Sequence, residues 1–430
     1  MHATFLTDLP PELYATIASF LEDDRRDLYS CTLASHDWHR IFNPILWRDI
    51  KNDPASLLLS GAAATGSLTR YGHYIQHLEL ACQTEDFGEF LALAPTSLPL
   101  LRSIELIGQV DSDEMIGDLL RRCSQRHGGG VGLQRLVFEP DGYGGYFDFR
   151  RKSVEALMEH VSTLEVFCVE KPWISSREIQ QLLRSTPRLK VFYILPRDRN
   201  ERIDLSCCLN ANDVVLPEWA CTSLEVFGCP IGGIPRPDIA REIHDGPVSK
   251  LIPEGDQQES LALHTQVYSQ LARLTYIREL RMGIPYDTHH EHYHRYDRES
   301  DRQYDCLAMS LESGLDLLRG LKNLQVVALE DMEVGIDAED ELKWAKQHWP
   351  DADVTTTEFG IDQDIESTLP EIEDRSSYSV FEYEDDDRYS YYDDDNYDDC
   401  DYNPYDSDSE DDFGRRGYSN TLCQRKINRG

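Results

Sequence analysis

At 430 residues and 40% hydrophobic content, the chain holds material for two or three domains at roughly 100–200 residues each. Its net charge of -37 is concentrated: residues 351–412 carry 25 Asp and Glu against 2 Arg, and residues 413–430 add five Lys and Arg. Such acidity repels phosphate backbones and argues against a nucleic-acid partner, and the absence of any run of 18 apolar residues argues against a membrane span.

The eleven cysteines form no Cys-x-x-Cys pair, which predicts reduced thiols and a cytoplasmic or nuclear location. The opening stretch MHATFLTDLPPELY lacks the basic and apolar regions of a signal peptide.

Asp8 and the pair Pro10-Pro11 mark a helix start, because proline is tolerated in the first turn. Leu13, Ile17, Phe20 and Leu21 follow at helical spacing as one apolar stripe. The charges of residues 23–26 end it. A second apolar set comprises Leu28, Cys31 and Leu33, and a third Trp38, Ile41, Phe42, Ile45, Leu46 and Trp47. Three short helices in about 40 residues bury little core by themselves. Large apolar groups at the ends, such as Leu9 and Trp47, are therefore expected to meet another surface.

The order Leu9-Pro10-x-Glu12-Leu13, Ile17, Leu21, Asp27-Leu28, Leu33, Trp38 and Leu46-Trp47-Arg48 resembles the F-box motif over nearly its whole length. The resemblance implies docking onto the Skp subunit of a cullin-based ubiquitin ligase. It places Leu9, Pro10, Leu13, Ile17, Leu28, Leu33 and Trp47 at the docking surface, with Trp38 packed internally. Family members usually carry Cys or Ser followed by a basic residue shortly before the lone Trp. This chain has Ala34-Ser35-His36 there, so the family's basic contact is not carried over to His36. Read from spacing alone, the same apolar residues describe the core of a small helical domain.

Beyond the first fifty residues a six-residue pattern, apolar-x-x-apolar-x-apolar, recurs eight times. It begins at Ile75, Leu101, Leu133, Leu164, Leu189, Leu224, Ile277 and Leu324, with spacings of 26, 32, 31, 25, 35, 53 and 47 residues. Alternation in its last four positions predicts a strand. Helices are predicted between the strands at 86–94, 112–123, 153–161, 175–185, 260–273, 303–320 and 338–348. Ser175 with Glu178 makes a capping box for one of them, and Asp337 is the cap expected for the last.

The fold class is therefore α/β. The alternation resembles the irregular leucine-rich-repeat solenoid found in many F-box proteins, although the consensus asparagine is missing. An ordinary α/β domain with a parallel sheet is the alternative. The expected domains are 1–52 (F-box), 53–354 (degenerate repeats) and 355–430 (acidic tail). In a solenoid the strands line one face. The positions between the apolar anchors, Glu79, Glu105, Tyr193 and Arg281, together with Arg135 and Lys190, are candidates to face a protein substrate. Loops are expected near 230–258 and 284–302.

Motifs that carry chemistry are scarce. Four histidines between His289 and His294 suggest a metal site, but no Cys or second His cluster completes one, and a solvated loop is expected. Gly128-Gly129-Gly130 lacks the Lys-Ser/Thr of a phosphate-binding loop, and PDGYGGY at 140–146 reads as a turn. No catalytic residue, metal or cofactor is assigned.

The tail from about residue 355 has too few core-forming residues to offset its ordering entropy, so disorder is expected. Ser407 and Ser409 there sit in a context suited to acidophilic kinases. Together these features predict a non-catalytic adaptor that binds Skp through its first fifty residues and an unidentified protein substrate through the repeats. A Skp-bound scaffold without degradation and an enzyme with a cryptic site are the alternatives.

Overall fold

The computed structural model describes residues 10–21, 25–51, 66–124, 131–139, 147–170, 172–195, 209–214, 218–237, 257–283 and 305–354, apart from 330, 331, 333 and 337. Leu9, the triple glycine, the 140–146 turn, the His289–His294 loop, Asp337 and the tail from 355 lie outside these residues.

Three helices open the described chain: α1 (Pro11–Ser19), α2 (Arg25–Ala34) and α3 (His36–Leu46). The strands are β1 (Asp49–Ile50), β2 (His77–Cys82), β3 (Ser103–Gly108), β4 (Arg135–Glu139), β5 (Val166–Glu170) and β6 (Val191–Leu195). They continue as β7 (Leu209–Asn210), β8 (Val226–Gly228), β9 (Ile231–Gly232), β10 (Glu279–Arg281), β11 (Val326–Ala328) and β12 (Asp353–Val354). All eight sextets supply strands of one ten-stranded sheet in strictly sequential order, and among the described strands β7 and β9 pair separately. Every pairing in the large sheet is parallel. Such an order requires each crossover to return beside the strand it left, so each repeat touches mainly its neighbours.

The three apolar positions of the sextet make the core. In all eight repeats each is at most 2% exposed. The position just before each strand also joins the ladder: Arg102 N–H donates to Gln76 O, and the series continues through Gln134, Glu165, Lys190, Glu225 and Arg278 to Gln325, at 2.7–2.8 Å. One row of anchors is aromatic. Phe167, Phe192 and Phe227 stack at 5.6 and 6.0 Å, extended by Phe149 on one side and Trp219 on the other. Each phenylalanine removed from water contributes roughly 1.5–3 kcal/mol.

Between strands the chain returns through α4 (Ser67–Tyr71), α5 (Thr84–Leu93), α6 (Asp113–Arg122), α7 (Arg151–Leu157), α8 (Ser176–Ser185), α9 (Ala211–Val214), α10 (Gln257–Leu271) and α11 (Glu339–His348). Ser112 caps α6, its side chain accepting Met115 N–H. The capping box of α8 forms as read: Glu178 N–H reaches Ser175 Oγ, and Ser175 N–H donates to Glu178 Oε2 at 2.9 Å. Among the described residues, the helix predicted at 303–320 does not form. Residues 306–314 are irregular and only Leu315–Gly320 coils, as a 3-10 helix. Gly314 explains this, because its φ of +103° breaks a right-handed helix.

Adjacent repeats are clamped by polar groups, one of them half-buried and two buried. The Asp113 carboxylate accepts the N–H groups of Arg150, Lys152 and Ser153 and the Ser153 hydroxyl, at 2.6–3.0 Å, and so caps α7 from α6. Burial opposes its ionisation, but these bonds outweigh burial and hold its carboxyl below the ordinary range. His160 bridges two other segments: its Nδ1 accepts Leu133 N–H at 3.1 Å and its Nε2–H donates to Leu120 O at 2.9 Å. Burial lowers its pKa and favours the neutral ring that this pair of bonds requires. His264 repeats the device, donating from Nδ1 to Ser260 O and accepting Ala308 N–H at Nε2.

Candidate functional site

The three N-terminal helices have a small core of their own. Tyr14, Ala18, Leu28 and Phe42 are buried, with Ile17, Trp38, Ile41 and Ile45 packed around them. Trp38 lies 5.2 Å from Phe42, centroid to centroid, and Tyr14 meets Phe42 edge-on. Ser35, just before the His36 that departs from the family pattern, caps α3: its hydroxyl accepts Trp38 N–H at 3.2 Å. That cap fixes the turn between α2 and α3 by a means that needs no basic neighbour.

The stripe read as one on α1 separates into two. Tyr14, Ile17, Ala18 and Leu21 face the module's core, while Leu13 is 46% and Phe20 81% exposed. On α2, Tyr29 and Leu33 are 55% and 67% exposed, four residues apart on one face. These four make up most of the seven large apolar side chains that are strongly exposed among the described residues. Pro10 is exposed beside them at the start of α1. Such a concentration of exposed apolar side chains stands out on a unit this small.

Two expected docking residues are placed elsewhere. Leu28 is 2% exposed and belongs to the module's own core. Trp47 packs against the core of the sheet, its ring 5.8 Å from Tyr71. The reason is connectivity. The chain passes directly from Trp47 and Arg48 into β1, whose Asp49 and Ile50 register with His77 and Leu78. Gln76 N–H donates to Arg48 O at 2.7 Å, and His39 Nε2 and Tyr71 Oη share a hydrogen bond at 3.2 Å. The sheet thus begins before the boundary expected at residue 52. Ile17 is half-buried in the module. Phe20, within the α1 stripe, and Tyr29, outside the apolar sets, carry no separate docking signal in the sequence.

Four of the six candidates on the repeats, Glu79, Glu105, Tyr193 and Arg281, fall in one line. Glu79 registers with Glu105, then Val137, Cys168, Tyr193, Gly228 and Arg281, ending at Ala328. Alternation puts this row on the face opposite the buried anchors. Its members differ in availability. Glu79 and Glu105 are half-buried, and Arg135 lies 3.5 Å from Glu105. Arg281 pairs with the buried Glu279 at 3.1 Å. Tyr193 is only 8% exposed; its ring lies on Gly228, where any Cβ would overlap it. Lys190, just before β6, pairs with Glu165 at 2.8 Å. Cys168 sits in the same row. Burial, and after it Glu170 and Glu139, push its thiol up, with Arg135 opposing.

Among the described residues no group of three or more His, Cys, Asp or Glu could hold a metal ion, and no helix is long and apolar enough to cross a membrane. No curated protein matches the chain. Residues 6–53 match the F-box-like family model, a range that covers α1 to α3 and ends just past β1. With its own core, its exposed apolar face and this match, the N-terminal three-helix unit is an F-box-like domain.

Proposed function

We propose that this chain is the substrate-recognition adaptor of a Skp–cullin–F-box ubiquitin ligase. The observation that carries the reading is the exposed apolar set Leu13, Phe20, Tyr29 and Leu33 on a domain that matches the F-box-like family. In this reading Pro10, Leu13 and Leu33 dock against Skp, joined by Phe20 and Tyr29. The open face of the sheet, with Glu79, Glu105 and Arg281, holds the substrate.

The chain's contribution to ubiquitin transfer is proximity: it holds a substrate near chemistry performed by other subunits. The junction through Trp47, Tyr71 and β1 supports this role, because packing and backbone pairing join the docking domain to the sheet without a free linker. The test is co-purification of the full chain with Skp. The reading expects a stable complex, lost on Leu13→Asp/Leu33→Asp with folding intact. Failure of the wild-type chain to retain Skp would sink it.

A further inference from the structure

The turn that follows α7 joins three repeats. His160 ends the 3-10 turn Met158–His160 and is 1% exposed. Its Nδ1 accepts the N–H of Leu133, and its Nε2–H donates to Leu120 O. Thr163 Oγ1 donates to Leu133 O at 2.7 Å, so one turn holds both backbone groups of Leu133. Leu133 is the first anchor of the third sextet and is fully buried. Leu120 lies near the end of α6, in the second repeat, and Leu164, next after Thr163, opens the fourth sextet. A neutral imidazole has one N–H and one lone pair, and here the Leu133 amide takes the lone pair. A proton added at Nδ1 turns that acceptor into a donor and leaves a buried amide without its partner. Toward the ring, α6 and the lead-in to β4 present the backbone groups of Leu120 and Leu133. Among the described residues, the charged side chain acting on it is Glu159 of its own turn. Burial lowers the ring's pKa, and the Leu120 bond and Glu159 offset only part of this.

We infer that His160 is an acid-sensitive latch: its protonation releases Leu133 and opens the join between the second and third repeats while the rest of the sheet stays folded. The opening is local because the bonds lost belong to one turn, whereas β5 and β6 are held by their own ladder. The device does not depend on the adaptor reading and goes beyond it.

The experiment is hydrogen exchange on the full chain at two pH values, neutral and two units below, with each rate divided by that of an unstructured amide at the same pH. In the open form the ring titrates near its ordinary value of about 6.5, whereas the closed form excludes the proton. The opening constant at Leu133 should therefore rise about twentyfold in acid. Residues 131–134 should show that rise, and residues 189–195 should not. His160→Asn puts an amide oxygen where Nδ1 stood, keeping an acceptor that does not titrate, and should abolish the rise. Thr163→Val loosens Leu133 through its carbonyl. It should speed exchange at both pH values and leave their ratio unchanged, which keeps the test decisive if His160→Asn fails to fold. No rise in the wild-type chain, an equal rise in residues 189–195, an undiminished rise in His160→Asn, or a ratio altered by Thr163→Val would overturn the inference.

Discussion

Trp47→Ala distinguishes the two roles the chain offers this side chain. If Trp47 faced Skp, its removal would weaken that complex and leave the fold intact. In the structure it packs against the sheet's core and Tyr71. A largely buried tryptophan removes on the order of 150–200 Å² from water. At about 25 cal/mol per Å² this gives roughly 4 kcal/mol, and incomplete burial reduces the expected loss to about 3 kcal/mol, at the low end for Trp truncations. For a protein of this size the midpoint of thermal unfolding should fall by about 4 °C. The cut also weakens the junction, so α1 to α3 should lose cooperativity with the sheet, seen as earlier hydrogen exchange in residues 36–50. Calorimetry and exchange measure the first effect, and titration with Skp should show little change at a temperature where the variant is folded. Full thermal stability together with lost Skp binding would refute the placement.

Three further outcomes follow from the clamps and the close-packed row. Asp113→Asn should cost about 2 kcal/mol at neutral pH, because α7 loses a charged cap. The folded carboxyl titrates below its ordinary value, so the stabilisation is present above about pH 4 and is lost as pH falls through the folded value. Denaturant titrations of both proteins should therefore converge in acid; a constant gap would contradict the assignment. His160 has a lowered pKa in the fold, so its contribution is full above about pH 6.5 and declines as pH falls. A His160→Asn variant should show a flatter stability profile between pH 7 and 5 than wild type, and an equally steep profile would contradict it. Gly228→Ala should destabilise by about 1–3 kcal/mol through overlap with the Tyr193 ring. The penalty should largely vanish when Tyr193→Ala is made as well, and a double-mutant cycle with no coupling would sink this contact.

The sheet was readable because its signal repeats. Three apolar positions in each sextet recur eight times, and the alternation that predicts a strand also assigns the buried face. β1 and β12 escaped because two-residue strands carry no period of their own. They pair because their neighbours offer an edge. The helix expected across Gly314 failed for a local reason: the apolar spacing of residues 307–318 suits a helix, but the backbone there takes a left-handed turn. In the F-box-like domain the sequence located the three-helix unit but not its faces. Leu13 and Leu28 look alike in a motif, and only the packing of Tyr14, Ala18 and Phe42 decides which of them is inside. The same holds on the sheet, where Glu79, Glu105, Tyr193 and Arg281 share a row as expected. The absence of a Cβ at Gly228 is what lets Tyr193 fold down, and alternation says nothing of that.

The adaptor reading rests on the exposed apolar face of α1 and α2. Calorimetric titration of Skp into the full chain, beside Leu13→Ala/Leu33→Ala, tests it most directly. Covering one such leucine is worth about 2 kcal/mol, so the pair should weaken binding by several hundred-fold with an unchanged unfolding midpoint. Equal affinity in the two proteins, or no heat of binding to the wild-type chain, would contradict the account.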